Sequence, residues 1–532
     1  MMKAQTQTHI NQKRRREKQK KMESWWAAAI LGFIILLLMY ILGRSRFYDH
    51  KMEIMKENNG ADHNDYDEKM KKKKSKSSRS RVPKGCSGWP FIGETLDFIA
   101  SSYTSKPVTF MHKRKDMYGK VFRTHLLGKE VIVSTDPEIN KVVLQNHGTI
   151  FIPSYPKSIT ELFGANSILR MNGASHKRLH ASIGRFLKSP ELKAQITTDI
   201  LHSINLSFQN WKHGHLVYIQ DQTNQITFEI LVKVLMGMEA GEEMELFKKE
   251  YKEFIKGLVC LPIKLPGTQL YKSLKAKERL KKMIRKIIDE RLTNKAHGKS
   301  NDAIDVLLRD IHDRSEVDQC LPLDVIAGNI IEMMVPGEDS VPMVMTLAVK
   351  YLSDNPVALK QLVDENMDLK MQKADTGNSY DWTDYMSLTF TQNVISETLR
   401  LANIINAIWR QATQDVEIKG YLIPKGWCVL ASLTSIHMDE QNYDNPYQFN
   451  PWRWEKKGIV ASSFMFAPFG GGQRLCPGLE FARLEISIFL HHLVTTYRWI
   501  AEKDEIVYFP TVKMKKKLPI LVTPISLSDS YS

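Results

Sequence analysis

The spacing of hydrophobic positions divides the chain into regions of different character. From Trp25 to Gly43 no residue carries a charge, and at about 1.5 Å per residue a helix of this length crosses the hydrocarbon core of a bilayer. Short apolar runs at Val121–Leu127 and Glu130–Ser134 predict a small sheet. Residues 187 to 370 carry amphipathic helical patterns. The pattern predicts a mainly α protein with small β-sheets, preceded by a single transmembrane helix.

Charge and composition add boundaries to this picture. We expect a basic arm at residues 1–24, a membrane anchor at 25–43, a charged flexible tether at 44–81, a catalytic domain at 82–525 and a tail at 526–532. The net charge of +16 is concentrated near the N-terminus, since residues 1–81 hold 20 Lys and Arg against nine Asp and Glu. Because the basicity belongs to the arm and tether, we expect no nucleic-acid partner.

Two features bear on the membrane segment. A cleaved signal peptide is the competing interpretation, but Arg44-Ser-Arg46 follows the apolar run where a cleavage site would be expected. Eight Lys and Arg precede the run and four follow it closely, which by the positive-inside rule would place the C-terminal body in the lumen. A natural start at Met22 would remove those eight and keep the body in the cytosol. The sequence leaves Met1 and Met22 both open, and we expect a cytosolic body.

The chemistry of the chain is concentrated around one cysteine. The five cysteines lie far apart and are odd in number, which favours a reducing compartment over a disulfide framework. Cys476 lies in a glycine-rich loop, two residues after Arg474 and just before an apolar helical pattern that begins after Gly478. A helix N-terminus and nearby donors stabilise a thiolate, and a thiolate can hold a haem iron. The alternative is a buried structural cysteine.

The same loop carries a family signature. The residues Phe469, Gly472, Arg474, Cys476 and Gly478 match Phe-x-x-Gly-x-Arg-x-Cys-x-Gly, and in this the chain resembles the cytochrome P450 family. The resemblance implies the cytochrome P450 fold, a haem b with Cys476 on its iron, and an endoplasmic reticulum membrane protein that uses O₂. The chain has no dinucleotide-binding fingerprint, so an NADPH-cytochrome P450 reductase is the expected partner. Lys456, Lys457 and Arg483 are candidates for docking it.

A helix predicted from Leu323 to Leu352 contains two prolines. Pro336 and Pro342 lack the N–H groups that would bond to the carbonyls of Glu332 and Glu338, which predicts a local opening. Between them lie the candidate catalytic residues, namely Gly337, Glu338, Asp339 and Ser340. The family pattern here is Ala/Gly-Gly-x-Asp/Glu-Thr, from which this chain departs at Pro336 and Ser340. The resemblance implies O₂ binding and proton delivery; the alternative is a kinked structural helix with a solvated acid.

Two further sets of residues match the family. Glu397 and Arg400 lie three apart on one helix face, and with Arg453 they resemble a buried network that supports the fold. Arg410 and Arg474 match positions that bind the haem propionates. His176 and His180 stand where many relatives have Trp and Arg, so they are candidates for the same role, with solvated helix residues as the alternative.

Longer segments resemble a narrower group, the Rotundifolia-type plant steroid C-23 hydroxylases of brassinosteroid biosynthesis. They include residues 155–162, 227–235, 271–280 and 420–430. The resemblance implies hydroxylation of a 22-hydroxylated steroid at C-23. A thiolate-haem isomerase or dehydratase, and a membrane sterol-binding protein without catalysis, are the alternatives.

The candidate substrate contacts come from apolar stretches. They are Met333–Val335, Asn403–Ile408, and the region of Phe151 and Tyr155. The run Leu258–Pro266, between two predicted helices, is apolar enough to touch a bilayer.

Overall fold

The computed structural model describes residues 81–525 except residues 91, 102–106, 147, 294–301, 313–321, 456–463 and 509–510. The predicted arm, membrane anchor and most of the tether lie outside the described residues, as does the tail from residue 526. Within the described part, no helix combines the length and apolar character needed to span a bilayer.

Helices make up most of the described chain, as the pattern predicts. They are α1 (Thr95–Ser101), α2 (Thr109–Tyr118), α3 (Pro137–Gln145), α4 (Lys157–Phe163), α5 (Gly173–Lys188), α6 (Pro190–Phe208), α7 (Ile219–Met236), α8 (Glu242–Ile255), α9 (Gln269–Thr293), α10 (Ala303–His312), α11 (Leu323–Ser353), α12 (Pro356–Thr376), α13 (Trp382–Ser387), α14 (Thr389–Ala402), α15 (Thr434–His437) and α16 (Leu479–Thr496).

The strands form small sheets around these helices. They are β1 (Val121–Leu126), β2 (Lys129–Ser134), β3 (Phe151–Pro153), β4 (His215–Tyr218), β5 (Ala407–Ala412), β6 (Val416–Ile418), β7 (Tyr421–Ile423), β8 (Cys428–Ser432), β9 (Tyr497–Ala501), β10 (Ile506–Val507), β11 (Lys513–Met514) and β12 (Pro519–Pro524). The largest sheet has the order β1-β2-β8-β5-β3, with β2 and β8 parallel and its other pairs antiparallel. The predicted small sheet is confirmed, and β1 and β2 form an antiparallel pair in it.

The centre of the fold is α11, which packs against α7, α9, α14 and α16. Its apolar positions, such as Ile330, Met334 and Leu347, are fully buried in the largest hydrophobic cluster. Burial of this apolar surface is the main stabilising term for such a core. A helix that is apolar on several sides suits a position enclosed by other helices.

The expected opening of this helix at its prolines is wrong. α11 runs without a break from Leu323 to Ser353 across both Pro336 and Pro342. Pro342 is buried where α11 packs against α7, while Pro336 is exposed. Thr223 of α7 and Thr346 of α11 both donate hydrogen bonds to the carbonyl of Pro342, at 3.2 and 2.7 Å.

Candidate active site

The loop before α16 presents Cys476 beside a helix N-terminus. A short 3₁₀ turn covers Gly472–Arg474, and the N–H of Cys476 donates to the carbonyl of Phe469 at 3.0 Å. Burial raises the pKa of the Cys476 thiol, while the N–H of Gly478 acts in the opposite direction. α16 begins at Leu479, as the sequence predicts, so the positive end of its dipole lies close to the sulfur.

The glycines of this loop allow close packing. A Cβ on Gly472 would lie 2.3 Å from the carbonyl oxygen of Leu144 in α3, and Gly472 has a φ of +67°. A Cβ on Gly471 would lie 2.6 Å from the ring of Phe464. Glycine is required at Gly472 because a Cβ would collide with backbone and because L-residues avoid this φ, while a Cβ on Gly471 would displace the Phe464 ring. The loop is thereby held against α3, which fixes the position of Cys476.

Buried cationic side chains gather on one side of the loop. Arg410 is only 4% exposed; it donates from Nη1 to the carbonyl of Trp409, and its Nε has no hydrogen-bond partner among the described residues. Arg474 donates to the carbonyls of Ile168, Leu169 and Met171. Burial lowers the pKa of Arg474 to about 10; Tyr155 opposes this shift and Arg410 adds to it.

The two histidines of α5 belong to the same cluster. Burial, with Arg474, His180 and Arg410, lowers the pKa of His176 to about 4. The ring centroids of His176 and His180 lie 5.4 Å apart, and Nε2 of His180 lies 2.8 Å from the carbonyl oxygen of Leu475, which accepts the bond. Repulsion among buried cations and an unpaired guanidinium nitrogen indicate a place for an anionic group.

The Gly337–Ser340 segment lies in the middle of α11, which packs on α16. Burial and the neighbouring Asp339 raise the pKa of Glu338 to about 7, against the lowering effect of Lys252 and Lys248. Asp339 is more exposed than Glu338, but partial burial of its carboxyl also raises the pKa of Asp339. Ser340 is half-buried. Both acids can therefore hold a proton at a higher pH than a solvated carboxyl does.

A polar bridge connects α11 to the cysteine loop. Oδ1 of Asn329 accepts from the N–H of Ile168 at 2.8 Å, and its Nδ2 donates to the carbonyl of Asn166. The carbonyl of Ile168 in turn accepts from Arg474. Asn329 is buried, so its bonds fix the segment at residues 166–168, on which Arg474 of the cysteine loop also rests.

The predicted network of Glu397, Arg400 and Arg453 is confirmed as buried. Glu397 and Arg400 are both 0% exposed and form a double hydrogen bond of 2.8 and 3.0 Å, while Arg453 donates to Glu397 at 2.9 Å. Arg400 also donates to the carbonyl of His437 at 2.8 Å. Nε2 of His437 accepts from the N–H of Ala467, just before the cysteine loop. The network is therefore part of the support of that loop.

Of the candidate substrate contacts, Ile408 and Tyr155 lie by the thiolate loop or the arginine cluster, whereas Phe151 lies elsewhere. Ile408 lies against the thiolate loop, since a Cβ on Gly470 would be 3.3 Å from its Cδ1. Asn403 ends α14 at a φ of +52°; its Nδ2 donates to the carbonyl of Leu401, and its buried Oδ1 has no partner among the described residues. Tyr155 faces the arginine cluster. Phe151 is wrong as a contact, because β3 buries it in a separate cluster with Val416 and Ile418.

The apolar run between α8 and α9 is exposed. Val259, Leu261, Ile263 and Leu265 are 57%, 75%, 44% and 63% exposed. Four large aliphatic side chains open to solvent within seven residues exceed what isolated surface positions require. The run is anchored to α4 by the bond from Ser158 to the carbonyl of Leu258 and by the ion pair of Lys264 with Glu161.

Two of the expected docking cations, Lys456 and Lys457, lie outside the described residues. The third, Arg483, is half-buried and donates to Gln392 and Ser396 of α14. Its guanidinium therefore ties α16 to α14. Exposed basic residues near the cysteine loop are found instead on α5, at Lys177, Arg185 and Lys188.

Known proteins share this fold and sequence. The family model for Cytochrome P450 matches residues 83–524. The 3-epi-6-deoxocathasterone 23-monooxygenase CYP90C1 of Arabidopsis thaliana is 62% identical over 460 residues, which cover 85% of this chain and 87% of that protein. The 3-epi-6-deoxocathasterone 23-monooxygenase CYP90D1 of the same plant is 50% identical over 456 residues, 85% of this chain and 91% of that protein.

A solved structure, retinoic acid bound cyanobacterial CYP120A1, superposes with a TM-score of 0.73 at 24% identity, over 84% of this chain and all of that one. This likeness shows the fold. The chain therefore belongs to the cytochrome P450 family and is a monooxygenase with a haem iron cofactor. It is closely related to the brassinosteroid C-23 hydroxylases.

The site fits a haem. Cys476 would hold the iron, and the partnerless Nε of Arg410, with Arg474 and His176 beside it, would face the propionates. When bound, the haem supplies oxygen activation, which the thiolate promotes by electron donation. The chain's own residues named above would hold the cofactor.

Proposed function

We propose that this monooxygenase hydroxylates a steroid at C-23, with a 22-hydroxylated brassinosteroid precursor as its substrate. The observation that carries the proposal is the 62% identity, over 85% of the chain, to a 3-epi-6-deoxocathasterone 23-monooxygenase. A second protein with the same activity in its name, at 50% identity, supports it. Since these proteins are monooxygenases, the isomerase, dehydratase and sterol-binding alternatives have less support.

Proton delivery to O₂ falls to the acid pair and its serine. In this proposal the carboxyl of Asp339 gives a proton to Oγ of Ser340 as the Ser340 hydroxyl gives its own proton to the oxygen, and Glu338 then returns a proton to the Asp339 carboxylate. General acid–base catalysis of this kind is typically worth roughly 10²–10⁴-fold. The pKa of Glu338, raised to about 7, supports the assignment, because a carboxyl that still holds a proton near neutral pH can donate it; burial also raises the pKa of Asp339.

The substrate is rigid and mostly apolar, so a largely aliphatic site with few polar groups suits it. Ile408 borders the thiolate loop, and Asn403 offers a buried carbonyl oxygen without a partner. An unpaired buried acceptor of this kind is suited to a steroid hydroxyl. The exposed run from Leu258 to Pro266 is proposed as a membrane contact through which a lipid-dissolved substrate enters.

The proposal includes a single-pass anchor at residues 25–43 in the endoplasmic reticulum membrane, with the catalytic domain in the cytosol. Electrons would come from an NADPH-cytochrome P450 reductase, and O₂ would be the co-substrate of the monooxygenase. The exposed Lys177, Arg185 and Lys188 of α5 support docking of an acidic partner, because α5 also touches the residue before Cys476 through His180.

The position of the added oxygen in the product tests the proposed function. The purified protein, a plant reductase and NADPH would be incubated with a 22-hydroxylated steroid and, separately, with its 22-deoxy counterpart, and NMR would locate the added oxygen. We expect oxygen at C-23 and a preference for the 22-hydroxylated compound. Oxygen at a ring carbon, or a preference for the 22-deoxy compound, would contradict the C-23 assignment.

A further inference from the structure

A buried phenol lies close to the acid pair of α11, outside any motif of the family signature. Tyr251 of α8 is 0% exposed, and its hydroxyl has no hydrogen-bond partner among the described residues. Its ring packs against Phe228 of α7 at 5.9 Å and against Phe247 and Phe254 of its own helix. Leaving a buried hydroxyl unpaired is unfavourable, so a nearby acceptor is expected to engage it in the working enzyme.

The packing of α7 connects this phenol to Gly337. Leu231 lies about one helical turn after Phe228, and a Cβ on Gly337 would be only 2.9 Å from Cδ1 of Leu231. The glycine thus lets α11 approach α7 at the point where the acid pair begins. Glu338 and Asp339 follow directly, and both carboxyls add to the effect of burial in raising the pKa of Tyr251.

Two lysines complete the surroundings of Glu338. Lys248 and Lys252 lie on α8 on either side of Tyr251, and both lower the pKa of Glu338. Nζ of Lys248 lies 5.5 Å from the ring centroid of Phe228, and Lys252 is exposed. Glu338 therefore lies within electrostatic range of Lys248, Tyr251 and Lys252 of α8. From α7, Phe228 packs on Tyr251 and Leu231 packs on Gly337, and Asp339 comes from the same helix as Glu338.

We infer that Tyr251 is a positioning residue for the acid pair, its hydroxyl donating a hydrogen bond to the Glu338 carboxylate. This inference rests on the proposed role of Asp339 and Ser340. Tyr251 holds Glu338 between the lysines of α8 and Asp339. Glu338 gives its proton to the Asp339 carboxylate and regains one from water at the exposed Lys252. Only protons move in these steps, and Tyr251 keeps its own.

Tyr251→Phe tests the inference without turnover, since it removes the hydroxyl and keeps the ring. Infrared difference spectra would follow the carboxylic acid band that Glu338→Gln removes, as a function of pH. A phenol that donates to the carboxylate favours its charged form, so its loss should move the midpoint of this band upward. An unchanged or lowered midpoint would overturn the inference. Because no substrate is needed, the result is independent of the C-23 assignment.

Turnover gives a second test, with any substrate the enzyme accepts. We expect Tyr251→Phe to lower product formed per NADPH several-fold, with substrate affinity and the carbon monoxide spectrum unchanged. The double variant with Glu338→Gln should behave as Glu338→Gln alone, because Tyr251 acts through Glu338. If the effects of the two substitutions multiply in the double variant, the inference is overturned. A loss of substrate affinity in Tyr251→Phe would also overturn it, because it would mark Tyr251 as a substrate contact.

The matched control is Tyr385→Phe, which removes an equally buried hydroxyl that lies 3.0 Å from Nε2 of His492. It should leave both the infrared midpoint and the product per NADPH at the wild-type values. A similar change in this variant would show that loss of any buried phenol has the effect, and would overturn the assignment to Tyr251.

Discussion

Nε2 of His180 lies 2.8 Å from the carbonyl oxygen of Leu475, the residue before Cys476. The contact joins the middle of α5 to the thiolate loop at the residue next to the cysteine. The ring of His180 contacts the backbone of this loop. It therefore contributes to the site through the loop that carries the cysteine.

This contact predicts the effect of His180→Ala. Without the ring, the carbonyl of Leu475 loses its bond, worth about 1 kcal/mol, and the loop is held less firmly. Under warming, the reduced protein with carbon monoxide should lose its thiolate-type band faster than wild type. Lys177→Ala, at an exposed position of the same helix, is the control and should match wild type. Equal rates for both variants would remove His180 from the support of the loop.

The buried network at Glu397 predicts a large loss of stability. Glu397→Gln leaves the buried guanidinium groups of Arg400 and Arg453 without their counter-charge, at a cost of roughly 3–5 kcal/mol. We expect a correspondingly lower midpoint of denaturant unfolding. Asp354→Asn, which breaks the more exposed ion pair with Lys350, should change the free energy of unfolding by less than about 1 kcal/mol. Similar effects of the two substitutions would contradict the role given to the network.

A carboxyl inside α16 predicts a pH-dependent difference. Glu485 is 0% exposed, accepts from Thr227 at 2.5 Å, and burial raises its pKa from 4.5 to about 7. The folded state therefore binds the extra proton, so this group's contribution to stability is full below pH 4.5 and is lost as the pH rises to about 7.

Glu485→Gln removes this loss while keeping an oxygen for Thr227. The free energy of unfolding of the variant, minus that of wild type, should rise between pH 5 and 7 and then level off. The size of the pKa shift predicts a total rise of roughly 3 kcal/mol. The buried His437 and His491 and the half-buried His492 have lowered pKa values, so their contributions to stability fall as the pH falls, but these contributions cancel when variant and wild type are compared at equal pH. Glu480→Gln, at a more exposed position of α16, should show a flat difference. A flat difference for Glu485→Gln would contradict its raised pKa.

The parts of the fold set by local patterns could be predicted. The apolar periodicity indicated β1, β2 and the helix that became α11, and the signature indicated the loop around Cys476. The pattern at Pro336 and Pro342 was misleading, because α11 packs among neighbouring helices and runs unbroken across both prolines. Phe151 was assigned to the substrate site from its place in the sequence, while its burial depends on pairing between β3 and β5.

The sequence did not predict the residues whose roles depend on three-dimensional packing. Tyr251, His437 and Glu485 lie in ordinary helical patterns, and their significance comes from partners far along the chain. A buried Glu on an apolar helix such as α16 is a usable signal, because a charged residue at an apolar position requires a partner. Tyr251 offers no comparable signal, since tyrosine is common on helix faces that pack.

The reduced, carbon monoxide-bound spectrum tests the central claim, that Cys476 holds the haem iron in this site. Wild type should show the thiolate-type Soret band, and Cys476→Ser should lose it. Cys428→Ser is the control, since this buried cysteine lies beside Ser154 in the five-stranded sheet, and it should keep the band. A thiolate-type band retained in Cys476→Ser would contradict the account.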